Sequence, residues 1–484
     1  MRSAIPEAEA RPVGGPAVES AIVTTSAASD SSGDARRRDL FGHPKGLTVL
    51  FTTEMWERFS YYGMASLLVL YLVKYLLVPG QADAVLGYRA VKAALEGLFG
   101  PLGPQPLASQ IFGFYTGLAY FTPILGGILA DRVLGQRNTA IIGALLMAAG
   151  HFLMAIESML FVALGVLILG IGAFKPNVST QVGSLYAPDD TRRVRAYSIY
   201  YVGINIGAFL APLVCGTLGA EAGWHYGFAA AGFGMLIATV IYIAGVRHLP
   251  PDELHRRKAA PADATPFSAL ERRAIVSLLL VFALVTFFWA TYDQQENTLL
   301  LWVEDFTERR INLGVWAVEI PTTWFLALNP LMIFVFTPIL IRLWSGQARL
   351  GTEMSTISKL ALAFLFLALG NLIMIAAAWD LAPNAKASPL WLVAYFVAVT
   401  IGELHLAPVG LALVSRLAPA RVLSLMMGLW FAASFPGGVL GGWLGGFWSS
   451  MTKPQFFLMI GGIAALAGGA VFALGPALRS VFDE

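Results

Sequence analysis

Thr52-Thr53-Glu54-Met55-Trp56-Glu57-Arg58-Phe59-Ser60-Tyr61-Tyr62-Gly63 places three ionisable groups inside an apolar run that extends from about Leu47 to Leu77. A run of that length spans a bilayer as one helix, since about 20 apolar residues suffice. A charge at the bilayer centre costs about 2.5–3.5 kcal/mol on insertion scales, so three within one turn require a partner or a water-filled cavity. On a helix Glu54 stands three residues before Glu57 and four before Arg58, so the three side chains share one face, a proton and a counter-charge. That face is expected to line a path through the membrane.

The rest of the chain has the composition of a polytopic membrane protein. Of 484 residues, 57% are hydrophobic and 13% charged, roughly half the charged share of a soluble domain. The single Cys215 rules out a disulfide framework, and a net charge of +2 gives no reason to expect nucleic acid. Residues 1–43 are rich in Ala, Ser and Gly and lack an apolar core of signal-peptide length. They read as a disordered cytoplasmic tail, with the first span as an uncleaved insertion signal.

Apolar windows predict twelve spans, near 46–77, 108–130, 138–156, 158–186, 197–219, 224–246, 270–302, 321–344, 356–379, 389–416, 424–450 and 455–481. The turn between the third and fourth rests on Glu157 and Ser158 alone. Residues 247–269 are the long polar break of the middle, and they divide the chain into bundles of six helices over 44–246 and 270–484. Of the 32 Lys and Arg, only Lys74, Arg89, Lys92, Arg309, Arg310, Lys386 and Lys453 fall on the side away from the termini, with Arg58 and Lys175 inside the membrane. That bias puts both termini in the cytoplasm. Residues 78–107, with a short amphipathic piece near 90–98, and the charged stretch 303–320 read as outer loops without chemistry. The fold class is all-α, a membrane protein of twelve helices in two bundles, an arrangement in which a midplane site lies between rocking halves.

The spacing Glu-x-x-Glu-Arg-Phe followed by Tyr-Tyr-Gly resembles the first-helix motif of the proton-dependent oligopeptide transporters, a branch of the major facilitator superfamily. Gly126-Gly127 through Asp131, Arg132, Gly135 and Arg137 resembles the superfamily's loop signature between its second and third helices, in which acid and arginines form an ion-paired latch on the cytoplasmic side. Gly170-Ile-Gly172-Ala-Phe-Lys175-Pro176-Asn-Val-Ser179 is similar to the family's fourth-helix signature. The lysine there is a functional cation rather than one snorkelling to the interface, and Pro176 loosens the helix beside it. In the fifth span, Tyr200-Tyr-Val-Gly-Ile-Asn205-Ile-Gly207 supplies Asn205. The seventh carries Phe288-Trp289-Ala-Thr-Tyr-Asp293-Gln-Gln-Glu296, where Asp293 replaces a glutamate of the family pattern and Glu296 stands where a small residue is usual. Asn329 in the eighth and Gly402-Glu403-Leu-His405 in the tenth complete the match. His405 reads as a core histidine.

The resemblance implies a proton-coupled symporter that imports di- and tripeptides by alternating access in a bacterial inner membrane. Glu54, Glu57, Arg58, Lys175, Asp293 and Glu403 would carry proton coupling. Arg58 and Lys175 would hold a peptide carboxylate, and Glu403, Asn329 and Asn205 its amine. Tyr61, Tyr62, Tyr120, Trp289 and Trp430, with Ser434 one turn beyond Trp430, would form the walls. Lys175 and Glu403, in opposite bundles, are expected to pair across the cleft, because each is expensive alone in an apolar helix. The partners implied are small peptides, protons and the lipid bilayer, with no cofactor and no metal. Nothing in the chain assembles a nucleophile or metal cluster for an enzyme. Two departures, Ala65 where peptide-transporting members carry arginine and the extra Glu296, keep open nitrate, another organic anion or a non-peptide amine-bearing solute.

Overall fold

In hydrocarbon every backbone N–H and C=O has to be satisfied within its own segment, which makes the helix the form each apolar run takes. The computed structural model describes residues 38–39, 42–187, 190–252, 266–312, 317–382 and 384–475. The first half holds α1 (Lys45–Tyr71, prolonged by a π turn to Leu76), α2 (Tyr88–Phe99), α3 (Pro104–Leu129), α4 (Gln136–Met154), α5 (Leu160–Ser184), α6 (Arg192–Glu221) and α7 (Trp224–Gly245). The second holds α8 (Ala269–Tyr292), α9 (Thr298–Phe306), α10 (Leu328–Arg349), α11 (Thr356–Ala378), α12 (Leu390–Leu417), α13 (Leu423–Ala432), α14 (Ser434–Gly445) and α15 (Lys453–Ala473).

Eleven segments among the described residues are long and apolar enough to cross a membrane, with α8 and α9 acting as one span and α13 and α14 as another. The expectation of twelve therefore loses one by this measure. The helix in question is α4, whose 19 residues open on Gln136-Arg137-Asn138 and carry His151 near the other end. Those polar groups lower its hydropathy, yet α4 stands in the third position and packs along α5 and α7. The expected turn at Glu157 is a single 3-10 turn, Glu157–Met159.

Two small hairpins interrupt the all-helical plan. The loop expected at 303–320 begins only after α9 and carries β3 (Arg310–Asn312) against β4 (Ala317–Glu319), with Ile311 facing Val318 across the pair. The tail expected over 1–43 lies outside the described residues except for 38–39 and 42–43. There it forms a hairpin of β1 (Arg38–Asp39) and β2 (His43–Pro44) rather than loose chain. His43 Nδ1 shares a 2.7 Å hydrogen bond with the Tyr186 hydroxyl beyond α5, and both residues are buried. Burial first, then Arg192 and Arg195, hold the histidine below its ordinary value of 6.5. A depressed value means the neutral ring is the folded form, so its contribution is present above pH 6.5 and is lost as pH falls below it. Thermal melting should therefore lose stability on acidification in the native protein and lose less in His43→Gln; equal slopes would remove this residue from the pH response.

Within the first half α1 packs on α6 and α7, α4 on α5 and α7, and α3 on α5. In the second, α11 packs on α12 and α15, α10 on α12, and α8 on α14 and α15. Between the halves the main contacts are α3 on α14, and α6 on α10 and on the 3-10 turn Thr322–Ala327 that precedes it. The α3–α14 pair approaches backbone to backbone. A Cβ on Gly113 would lie 2.4 Å from the Gly438 carbonyl oxygen, and one on Gly442 would lie 2.7 Å from that of Ser109. Small residues are what permit helices to meet this closely in a membrane.

The face at which α1 begins is here the near face, and the face at which it ends is the far face. Toward the far face, hydrogen bonds join the halves: Ser109 Oγ donates to Asn297 Oδ1 (2.8 Å), Gln105 Nε2 to the Gly445 carbonyl (3.0 Å) and Trp324 Nε1 to Thr217 Oγ1 (2.8 Å). Lys74 and Asp305 add an ion pair of 2.5 Å there. At the near face, Gly135 turns the chain between α3 and α4 with a φ of +79°, a conformation open to glycine.

Candidate functional site

The α1 charges are buried together: Glu54 is 2% exposed, Glu57 0% and Arg58 3%. Arg58 donates through Nε and Nη2 to the two oxygens of Glu57, the second bond measuring 2.6 Å, and its Nε lies 3.4 Å from Glu54 Oε1. A planar guanidinium forking onto a carboxylate is among the strongest pairings available to side chains. The pair holds the net charge of the triad at minus one if both acids are ionised, or zero if one proton is carried. Glu54 Oε2 has no hydrogen-bond partner among the described residues, which leaves a place for that proton. The guanidinium lies over the rings of Tyr61 at 5.0 Å and Tyr62 at 6.0 Å.

Lys175 rests its ammonium 4.1 Å above the ring of Tyr120 on α3, a cation–π contact that stabilises a desolvated amine. Pro176 was expected to loosen the helix, but α5 runs through it to Ser184. Its missing N–H instead frees the carbonyl of Gly172 four residues back. That carbonyl lies against α3, where a Cβ on Gly126 would be 1.9 Å away.

A cavity of about 220 Å³ lies between the halves. From the first half Tyr61, Tyr62, Tyr120, Tyr201 and Asn205 reach it; from the second come Trp289, Tyr292, Asp293, Glu296, Asn329 and Glu403. Glu403 Oε2 accepts from the Tyr292 hydroxyl (2.7 Å) and from Asn329 Nδ2 (2.9 Å), and that amide also reaches Thr400 Oγ1 at 3.1 Å. Tyr292 is itself fixed by stacking on Phe288, with 5.6 Å between ring centroids. Between α8 and α9 the helix breaks over the 3-10 turn Asp293–Gln295. Gln294 satisfies the freed backbone by donating to the carbonyls of Ala290 (3.0 Å) and Gly441 (2.8 Å). Irregular backbone at such depth is tolerated where it borders a cavity.

The structure thus brings together Tyr61, Tyr62, Tyr120, Asn205, Trp289, Asp293, Asn329 and Glu403, and it relocates the others. Arg58 and Lys175, expected to hold a peptide carboxylate, stand behind Tyr61, Tyr62 and Tyr120 and do not line the cavity. The expected Lys175–Glu403 pair is not formed among the described residues: one lies on Tyr120, the other is held by Tyr292 and Asn329. Trp430 packs on Phe282 (5.9 Å between rings) and over Gly410 inside the second half, and Ser434 is buried at the start of α14, so neither is a wall. Asp131 and Arg132 are exposed at the near face. Arg137 does not close the expected latch on them; its Nη2 donates to the Leu249 carbonyl and its N–H to Asp252 Oδ1 at 3.1 Å, tying the start of the middle break to the α3–α4 turn. His405 Nδ1 sits 2.8 Å from the Ile401 carbonyl with its ring edge-on to Trp344, a core placement. Ala65 is fully buried, so an arginine there would meet packed side chains and not the cavity.

Sequence reasoning passed over Tyr201, Tyr292 and Asp252. The two tyrosines carried a signal, since Tyr201 stands four residues before Asn205 and Tyr292 three after Trp289, each on the stripe of a residue already chosen. Asp252 carried none, because its role depends on where a loop folds back. Removing the Tyr292 hydroxyl frees one side of Glu403, and Tyr292→Phe should weaken solute binding about tenfold, the worth of one hydrogen bond to a charged group. Unchanged binding in a titration of the purified protein would show that Asn329 alone suffices.

A profile of the POT family matches residues 137–264 and 253–459. The peptide transporter YePEPT of Yersinia enterocolitica is 32% identical over 477 residues, spanning 84% of this chain and 89% of its own. A di-/tripeptide transporter of Lactococcus lactis subsp. cremoris is 32% identical over 494 residues, spanning 89% and 95%. A solved mutant of a peptide transporter POT in complex with alafosfalin superposes with a TM-score of 0.78 at 31% identity, covering 93% of this chain and 99% of that one. These similarities run through both halves and across the helices that build the cavity, and the chain is a multi-pass membrane protein that belongs to the POT family.

Proposed function

We infer that this protein is a proton-coupled symporter that imports di- and tripeptides by alternating access across a bacterial cell membrane, its termini in the cytoplasm. The observation that carries the reading is a polar, aromatic cavity shared by both halves, with a buried Glu–Glu–Arg triad directly behind its tyrosine wall. Relatives named for peptide and di-/tripeptide transport, at 32% identity over most of their length, supply the solute class. Residues 44–246 and 270–484 then act as two bodies that rock about the α3–α14 contact. The near face is cytoplasmic in this reading, which the distribution of Lys and Arg supports. With the far face closed by cross-half hydrogen bonds, the state described is one that exchanges solute with the cytoplasm.

Tyr62 and Tyr120 separate the cations from the cavity, so a peptide carboxylate first meets phenol donors and reaches Arg58 or Lys175 only as those rings turn. Glu403, aimed by Tyr292 and Asn329, receives the amine. A proton carried on Glu54 or Glu57 enters with the solute, and each charge crossing gains about 2.3 kcal/mol per 100 mV. An amine-bearing solute without a peptide bond is the second reading, favoured because no Lys or Arg is among the described residues that line the cavity. Three carboxylates there argue against nitrate and other anions. Transport rather than catalysis is what such a site does. In proteoliposomes with an alkaline lumen, dialanine should accumulate above its external concentration and collapse on adding a protonophore; failure of dipeptides to enter or to compete would overturn the peptide reading.

A further inference from the structure

We propose that Glu296, together with Asp293, makes one end of the cavity an acidic subsite that selects solutes carrying a second positive charge, such as the side chain of a basic residue in a dipeptide. For the form of the solute this rests on the peptide reading above; for its charge it does not. Asp293 opens and Glu296 caps the 3-10 turn at the α8–α9 break. In that geometry residues three apart eclipse one another, so both carboxylates project to the same side. That side is the cavity, which both line.

The backbone of the break is held by other groups. Gln294 donates to Ala290 and Gly441, Gln295 Nε2 to the Tyr292 carbonyl at 3.2 Å, and Thr298 Oγ1 to Gln294 Oε1 at 2.9 Å. The Asp293 and Glu296 carboxylates make no hydrogen bond or ion pair among the described residues; these residues join the turn through their backbone alone, Glu296 N–H donating to the Asp293 carbonyl at 3.3 Å. Every other acid near the cavity is engaged: Glu57 and Glu54 by Arg58, and Glu403 by Tyr292 and Asn329.

A second, independent feature of the same cavity also waits for a ligand. Tyr61 is 5% exposed, lines the cavity, and its hydroxyl has no hydrogen-bond partner among the described residues. Donors thus lie on the first-half wall and unmatched acids on the second. A solute of matching polarity places carbonyl or carboxylate oxygens at the tyrosines and cations at the acids. The terminal amine of a peptide occupies Glu403, which leaves Glu296 and Asp293 without a counterpart in a neutral dipeptide. The ammonium of a lysyl side chain supplies one, with its alkyl stem along the ring of Trp289.

The test is equilibrium binding of alanyl-lysine, alanyl-glutamine and alanyl-glutamate to the full-length protein, with Glu296→Gln and the charge-conserving Glu296→Asp beside the native chain. Alanyl-lysine should bind about tenfold more tightly than alanyl-glutamine, as one charge-assisted hydrogen bond supplies, and alanyl-glutamate weakest. Glu296→Gln should erase the preference for lysine over glutamine, and Glu296→Asp should restore most of it. Absence of the preference in the native chain, or its survival in Glu296→Gln, overturns the proposal. If no dipeptide binds, the peptide reading falls, and lysinamide against glutaminamide, run on the same three proteins, decides the subsite: a preference that depends on Glu296 supports it, and indifference overturns it.

Discussion

Glu57→Gln is expected to abolish solute accumulation driven by a pH gradient, while exchange of solute across the membrane falls far less. The glutamine is the same size and keeps an oxygen for Arg58, so the fork that now places Nη2 2.6 Å from Glu57 Oε1 retains one of its bonds. What it removes is the negative charge. Arg58 is then neutralised by Glu54 alone, at 3.4 Å from its Nε, and Glu54 can no longer take up a proton without leaving a buried guanidinium uncompensated. Leaving such a charge alone costs about 3–5 kcal/mol, which is a factor of a hundred or more in proton occupancy. The proton is therefore excluded from the variant and the solute moves without it. Counterflow and pH-driven uptake, measured on the same vesicles, separate the two activities; undiminished acid-driven accumulation would remove the triad from coupling. Arg58→Met makes the complementary case, since it strands two carboxylates and should reduce thermal stability as well as transport.

The second large effect is mechanical. Gly113→Val should stop transport by forcing α3 away from α14. The added Cβ would lie 2.4 Å from the Gly438 carbonyl oxygen and 2.8 Å from Gly442 Cα, and both neighbours are backbone, which cannot rotate aside. The helices have to part, and with them the Gln105–Gly445 hydrogen bond along the same pair and the Ser109–Asn297 bond from α3 to the start of α9. Overpacking of this kind costs about 1–3 kcal/mol, all of it charged to the state in which these helices touch. Gly127→Val on the same helix is the control, because nothing lies within 4 Å of the Cβ it would add. Equal uptake by the two variants, at equal amounts in the membrane, would show that the halves do not pivot here.

How much of this was legible beforehand depends on whether a relation lies along one helix or between two. The shared face of Glu54, Glu57 and Arg58 follows from spacing, whereas Asn205, Trp289, Asn329 and Glu403 were reached through resemblance to the family's motifs, and the structure puts all four on the cavity. Apolar length located the spans, down to the short turn at Glu157. The crossing of helices is another matter. That Lys175 lies on Tyr120, and that Trp430 turns inward to Phe282, depends on which stripes of distant helices meet, and local pattern carries no term for it. The hairpin β3–β4 escaped for a related reason, since strands of three residues are too short to show alternation. Glu296 was visible as a departure from a motif, but its meaning depended on finding no partner beside it.

The closure of the far face has a consequence for speed. Its bonds are polar and mostly neutral, and the Lys74 and Asp305 side chains are each 40% exposed. Water replaces a neutral hydrogen bond at nearly equal enthalpy, and an exposed ion pair is worth at most about 1 kcal/mol and is screened by salt. Such a seal gives way first at its wet edge, the exposed Lys74–Asp305 pair, before the buried Ser109–Asn297 and Gln105–Gly445 bonds. The ionic strength at the far face thereby becomes a control on how long the protein dwells in the state with that face closed.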